Sequence, residues 1–202
     1  MKAKICGITD VETAQQACLF GADALGFVFA PSKRRISPEN AVRIITHLPQ
    51  HVWKVGVFVN EDVVRVREIA KQCQLDYVQL HGEEDQHYLE RLNIPSIKAF
   101  GVSSKDDIER ACQYEADYIL LDSPKGAYYG GNGTAFDWSY IKNVPRTLRA
   151  KLIVAGGLTD GNVKEVIHLA QPYMVDASSS LETNGKKDIE KIKRFLQTIK
   201  GC

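Results

Sequence analysis

The sequence lacks most of the features that mark binders of large charged or apolar partners. Its 26 basic and 25 acidic residues leave a formal net charge of +1, so no general field draws it to nucleic acid or to an anionic membrane, and an anion must be held by a local site. No apolar run nears the ~20 residues needed to span a bilayer. Met1-Lys2-Ala3-Lys4 leads straight into an apolar strand without the apolar stretch of an export signal. The five cysteines, Cys6, Cys18, Cys73, Cys112 and Cys202, are scattered, odd in number, and nowhere in C-x-x-C spacing, which speaks against a zinc or disulfide framework. The expectation is a protein of the reducing cytoplasm whose partners are small molecules, not nucleic acid or membrane. Nothing in the sequence fixes an oligomeric state, and a monomer is the simplest expectation.

What is present is a regular alternation. Short apolar runs alternate with stretches of helical periodicity from end to end, the pattern of a parallel sheet wrapped by crossover helices. Eight strands are expected near Ala3–Cys6, Ala24–Phe29, Trp53–Val59, Tyr77–Leu80, Ser96–Phe100, Tyr118–Leu121, Lys151–Ala155 and Tyr173–Asp176. Most are apolar at consecutive positions, as strands covered on both faces are. Helical stripes at i, i+3, i+4 and i+7 run through Ile189, Ile192, Phe195, Leu196 and Ile199, through Val63, Val66, Ala70 and Cys73, and through Val163, Val166, Ile167 and Ala170. Ser37-Pro38 reads as an N-cap followed by proline at the first helical position, and Asn60, Ser104 and Thr159 stand just before other helices. Cys18, Cys73 and Cys112 fall on apolar stripes and are expected to pack there.

Eight such units in 202 residues give an α/β chain with one catalytic domain, residues 1–202, folded as a single eight-stranded parallel (β/α)8 TIM barrel near the small end of its size range. A doubly wound open sheet is the rival, but Gly7-Ile8-Thr9-Asp10 does not supply its Gly-rich nucleotide turn. Two loops depart from the periodic pattern, Ala30–Ser37 and Ser123–Asp137. Asp23, Asp76 and Asp117 each stand immediately before a strand and read as terminations at the stable face of the barrel, with no chemistry.

Barrel chemistry is done at the carboxyl ends of strands, which narrows the search to Cys6, Asn60, His81, Asp122, Gly156-Gly157 and Asp176. A cysteine ending the first strand points into the barrel mouth. There, cations or helix amino termini could lower its thiol pKa toward neutrality and make it a base; as a lone buried cysteine it could equally be a small hydrophobe. Asp122 ends an apolar strand, where desolvation would raise its pKa and let it keep a proton to donate. An unperturbed aspartate is ~0.1% protonated at pH 7, so a useful acid must be raised by about two pH units, about 3 kcal/mol. The alternative is a cap for the following turn.

Gly156-Gly157-Leu158 after the seventh strand and Ser178-Ser179-Ser180 after the eighth are the two loops with which many barrels grip a phosphate through backbone N–H groups. Ser32-Lys33-Arg34-Arg35 is a basic loop over the same face, able to fix a carboxylate through a guanidinium or simply to be solvated. Gly130-Gly131-Asn132-Gly133 lacks the lysine and the strand-turn-helix setting of a nucleotide loop and reads as a lid or turn.

Taken in order, Lys4-Ile5-Cys6-Gly7-Ile8, Ser32-x-Arg34-x-Ile36, Val55-Gly56-Val57-Phe58-Val59-Asn60, Gln79-Leu80-His81-Gly82, Leu121-Asp122-Ser123, Phe136-Asp137-Trp138, Ala155-Gly156-Gly157-Leu158 and Val175-Asp176-x-Ser178-Ser179 resemble the phosphoribosylanthranilate isomerase family over essentially the whole chain. The resemblance implies an Amadori rearrangement in tryptophan biosynthesis, carried out on a phosphosugar without metal or coenzyme. By it, Asp122 is the general acid and Cys6 the general base, and Arg34 holds the anthranilate carboxylate. Gly156, Gly157, Ser178 and Ser179 belong to the substrate's phosphate site, while Asp176 and His81 orient the sugar or the catalytic groups. The family usually has glycine where Ser180 stands and serine or threonine where Asn132 stands. On the same scaffold, a metal-dependent epimerase would need clustered histidines and acids. An indole-glycerol-phosphate synthase would need lysine and glutamate at strand ends. A non-catalytic phosphoribosyl-binding barrel would lack the acid–base pair.

Overall fold

In a computed structural model that describes residues 1–124, 136–142 and 144–201, eight parallel strands close on themselves in sequence order, the eighth pairing with the first. The strands are β1 (Lys2–Cys6), β2 (Ala24–Val28), β3 (Trp53–Phe58), β4 (Tyr77–Leu80), β5 (Ser96–Gly101), β6 (Tyr118–Asp122), β7 (Leu152–Val154) and β8 (Met174–Ala177). Between and after them run α1 (Val11–Leu19), α2 (Pro38–Ile45), α3 (Val63–Gln72), α4 (Gln86–Leu92), α5 (Lys105–Cys112), α6 (Arg146–Arg149), α7 (Val163–Ala170) and α8 (Ile189–Lys200). A hairpin of two short strands, β9 (Glu182–Thr183) and β10 (Lys186–Lys187), precedes α8. The expected barrel is the observed one, with strand ends shifted by one residue at most positions. No helix among the described residues is long and apolar enough to cross a membrane.

Strand alternation sorts the core into two layers. Outward residues such as Ile5, Leu25, Phe58, Leu80, Leu121 and Val175 meet the helices in one large cluster. Inward residues Ala24, Val55, Ile97, Ala99, Leu120, Ile153, Ala155 and Met174 fill the barrel. The α8 stripe behaves as its spacing predicts, with Ile192, Phe195, Leu196 and Ile199 all buried, each contributing about 1.5–3 kcal/mol of apolar burial. Cys73 packs as expected and Cys18 is half-buried, but Cys112, at the last residue of α5, is exposed because the buried stripe of that helix runs through Ile108 and Ala111.

The amino-terminal end of the barrel is plugged by rings. Trp53 lies 4.5 Å from Tyr77, 5.4 Å from Tyr118 and 6.1 Å from Tyr173 between centroids, and the Lys2 ammonium sits 4.8 Å over both Trp53 and Tyr173. The aspartates that precede strands terminate the ladder here. Asp23 accepts the Ala3 N–H at 2.9 Å, Asp76 the Lys54 N–H at 2.7 Å, and Asp117 the Ser96 N–H at 2.8 Å. Each satisfies a donor within the first two residues of the neighbouring strand.

Helix starts follow side-chain chemistry more than position. Ser37 caps α2 with Pro38 behind it, and Ser104 stands at the start of α5. Two starts fall later than expected: Asp62, not Asn60, caps α3 with its carboxylate on Val64 and Arg65 N–H, and Asn162, not Thr159, precedes α7.

Candidate active site

The carboxyl ends of the strands surround a cavity of about 290 Å³. Cys6, Arg34, His81, Asp122 and Asp176 all line it. So do Gly156, Gly157, Ser178 and Ser179, so the structure brings the nine expected residues together at one site. Asn60 is not among them. Its backbone is left-handed (φ 50°) and its side chain accepts the Glu83 N–H at 2.7 Å, a loop-bracing role.

Cys6 is the last residue of β1 and 8% exposed. It needs a small neighbour: a Cβ on Gly26 of β2 would lie 2.7 Å from its sulfur. Burial pushes its thiol pKa up, against the pull of Lys4, with Asp176 adding to the rise and Lys187 opposing it. This corrects the expectation of a lowered thiol pKa. The cations are present, but desolvation of a thiolate outweighs them.

One pleat below Cys6, Lys4 points into the barrel with no exposure, and its Nζ lies 2.8 Å from Asp176 Oδ2. Burial alone would depress the ammonium, but the adjacent carboxylate outweighs it and holds the Lys4 pKa above its ordinary value. The second oxygen, Asp176 Oδ1, is buried without a hydrogen-bond partner among the described residues.

Asp122 ends β6 with 5% exposure. Burial raises its pKa to about 6, opposed by the hydrogen bond from Ser123 N–H to Oδ1 at 2.7 Å and by Lys4, with Asp176 reinforcing the rise. The rise matches the one an acid at this position requires. Its Oδ2 faces His81 Nε2 at 3.5 Å. Gly156 makes room for this strand end: it has φ 84°, and a Cβ there would come within 2.6 Å of Ser123 N and 3.0 Å of Asp122 Oδ1.

His81 follows β4, and that strand end is clamped. The buried Lys98 ammonium bonds Gly82 O at 2.7 Å and Glu84 Oε2 at 2.8 Å, while Glu84 accepts the N–H of Asn60 at 2.7 Å and of Gly82 at 2.9 Å. An ion pair this enclosed keeps its geometry because both charges have further hydrogen bonds.

The two phosphate-type loops are tied to the framework through their hydroxyls. Ser178 Oγ donates to Cys6 O at 3.0 Å, and Ser180 Oγ donates to Leu158 O. Ser180, at a position where glycine was the expected residue, therefore joins one loop to the other. Gly156 and Gly157 are both left-handed, and among the described residues none accepts a hydrogen bond from the N–H of Gly157, Ser179 or Ser180. Backbone N–H groups in such an array suit an anion.

Arg34 grips a carboxylate as expected of it, but that of Glu182: Nε to Oε1 is 2.6 Å and the second contact 3.0 Å. Lys187 Nζ also bonds Glu182 Oε1, at 2.7 Å. The third guanidinium nitrogen of Arg34, Nη1, makes no hydrogen bond among the described residues. Gly130-Gly131-Asn132-Gly133 and Cys202 lie outside the described residues. Among those described, no group of three or more His, Cys, Asp or Glu is placed to hold a metal ion.

Sequence reasoning missed Lys4, Gln79, Glu182 and Lys187. The first two had a signal, a polar residue two positions before an expected site residue in an otherwise apolar strand, hence on the same inward face.

Residues 3–198 match the sequence profile of a family described as N-(5'phosphoribosyl)anthranilate (PRA) isomerase. The N-(5'-phosphoribosyl)anthranilate isomerase of Bacillus mycoides is 57% identical over 202 residues, covering 100% of this chain and 99% of that one. Among solved structures, phosphoribosyl anthranilate isomerase from Thermotoga maritima is 45% identical with a TM-score of 0.90, each chain covered in full. A phosphoribosyl anthranilate isomerase in complex with reduced 1-(o-carboxyphenylamino)-1-deoxyribulose 5-phosphate is 44% identical with a TM-score of 0.87, again with full coverage of both chains.

Proposed function

Because the chain belongs to the N-(5'-phosphoribosyl)anthranilate isomerase family, enzymes of tryptophan biosynthesis, we propose that it performs the Amadori rearrangement with Asp122 as general acid and Cys6 as general base. The reaction takes N-(5-phospho-D-ribosyl)anthranilate to 1-(2-carboxyphenylamino)-1-deoxy-D-ribulose 5-phosphate. Asp122 gives its proton to the furanose ring oxygen as the C1–O bond breaks, leaving a Schiff base. The Cys6 thiolate then takes the C2 proton, and the resulting enolamine tautomerises to the ketone.

The observation that carries this reading is the pair itself: a buried carboxyl raised to about 6 and a strand-end thiol on the same cavity. The remaining roles follow from position. The loops holding Gly156, Gly157, Ser178 and Ser179 take the phosphate, Arg34 the anthranilate carboxylate through its free edge, and Asp176 and His81 the sugar and the acid. The product-analogue complex of the related isomerase supports a phosphosugar in this cavity. The simplest arrangement for this activity is a monomer acting in the cytoplasm as one domain of residues 1–202.

The test is to generate the labile substrate in place and follow loss of its anthranilate fluorescence. Cys6→Ser and Asp122→Asn should each lower kcat at least ~10²-fold with the fold intact. Turnover near wild type in either variant removes that residue from the mechanism.

A further inference from the structure

Gln79 is one pleat below His81 on β4, inside the barrel and 2% exposed. A buried carboxamide in a strand that is otherwise apolar calls for a partner, and it has one: its Nε2 lies 3.2 Å from His81 Nδ1. A neutral imidazole carries one N–H and one lone pair. A carboxamide N–H directed at Nδ1 needs the lone pair there, so the ring proton is on Nε2. That nitrogen faces Asp122 Oδ2 at 3.5 Å.

We propose that Gln79 is a positioning residue of the reaction: its carboxamide donates to His81 Nδ1, fixes the ring in the Nε2–H tautomer, and aims that N–H at the Asp122 carboxyl. The inference rests on the reading of Asp122 as general acid. When Asp122 passes its proton to the ring oxygen, the O–H bond breaks at the carboxyl, the electron pair stays on its oxygens, and the His81 N–H faces the new charge. His81 itself gains and loses no proton. At 3.5 Å the contact is too long for a strong hydrogen bond in the resting site. Starting from the productive form, with Asp122 protonated, it strengthens as charge develops on the carboxyl and so favours the proton-transfer step.

Two features hold the arrangement. The Lys98–Glu84 clamp fixes the backbone at Gly82, next to His81. Gln79 Oε1 is buried with no hydrogen-bond partner among the described residues. Turning the amide over would give that oxygen the Nδ1–H of the other tautomer, but it would strand the NH2 group and present a lone pair to Asp122. A lone pair there holds the proton on the acid instead of stabilising its departure.

The experiment is ¹⁵N NMR of the ligand-free, histidine-labelled enzyme at a pH above the imidazole range, with His81 assigned by its loss in His81→Ala. The expected result is the Nε2–H tautomer in the wild type and a tautomer mixture in Gln79→Met. Kinetically, Gln79→Met should lower kcat about tenfold with KM within about twofold, and should have no further effect in a His81→Ala background. His81 in any other protonation state in the wild type overturns the proposal, and this measurement needs no variant of Gln79 to fold. An equal kcat loss from Gln79→Met with and without His81 also overturns it. Failure of the general-acid reading appears separately, as retained turnover in Asp122→Asn with the tautomer result unchanged.

Discussion

Varying pH with the wild-type enzyme should give kcat/KM a broad plateau bounded by a limb near 6 and a second limb on the alkaline side, with the productive protonation state scarce throughout. The values come from the structure: burial lifts Asp122 from 3.8 to about 6 and lifts Cys6 above its ordinary 9.0. The proposed mechanism needs the carboxyl protonated and the thiol ionised, whereas the resting site between those limbs holds a carboxylate and a thiol. Both states carry one proton, so their ratio does not change with pH across the plateau. It is set by how far the two pKa values stand apart, each pH unit of separation making the productive form tenfold scarcer. Below the lower limb the thiolate is lost without further gain of protonated acid. Above the upper limb the protonated acid is lost without further gain of thiolate. The apparent values belong to the pair, not to either residue. The assay is kcat/KM against pH by anthranilate fluorescence, with the thiol followed separately by thiolate ultraviolet absorbance in the wild type minus Cys6→Ser. A Cys6 thiol titrating near neutrality in the free enzyme, or a profile with no limb between about pH 5 and 7, would refute the reasoning.

Two substitutions test the rest of the site. Arg34→Ala should raise KM by about 10- to 100-fold with kcat little changed, because its contact with a carboxylate is present in ground and transition states alike; steady-state kinetics showing an unchanged KM beside a lost kcat would contradict this. Gly156→Ala should cost about 1–2 kcal/mol for the left-handed backbone alone. It should also lower kcat at least ~10-fold, since the added Cβ meets the Ser123 backbone at 2.6 Å and displaces the strand end that carries Asp122; denaturation and turnover measured together check it, and wild-type kcat would show that the strand end did not move.

The barrel was legible because strands buried on both faces leave apolar runs that helices cannot imitate at that length, as Tyr77–Leu80 shows by matching to the residue. Helix starts were less so where two residues of capping type stand close together: Asn60 was the expected start, but Asp62, whose carboxylate reaches two N–H groups, is the cap. The site residues were found by looking at the last residue of each strand, which is why Cys6 and Asp122 were seen and Lys4 and Gln79 were not. Glu182 and Lys187 had no signal of that kind. They sit on two-residue strands too short to show a period, and only the fold brings Glu182 to Arg34.

The inward face of the barrel divides along its axis in a way that bears on mechanism. At the amino-terminal end, Trp53, Tyr77, Tyr118 and Tyr173 close the barrel with apolar and aromatic contact. At the other end stand Lys4, Asp176, Gln79, His81 and Asp122, nearly all buried and held by partners inside the barrel. The same burial that raises the Asp122 carboxyl also raises the Cys6 thiol, so one desolvated mouth cannot favour the proposed acid and the proposed base together. Charge already placed acts on both groups alike: Lys4, held protonated beside Asp176, opposes the rise of the thiol and of the Asp122 carboxyl, while Asp176 reinforces both. The Lys4–Asp176 pair therefore moves acid and base in the same direction, and the scarcity of the productive protonation state is a consequence of placing both in one low-dielectric site.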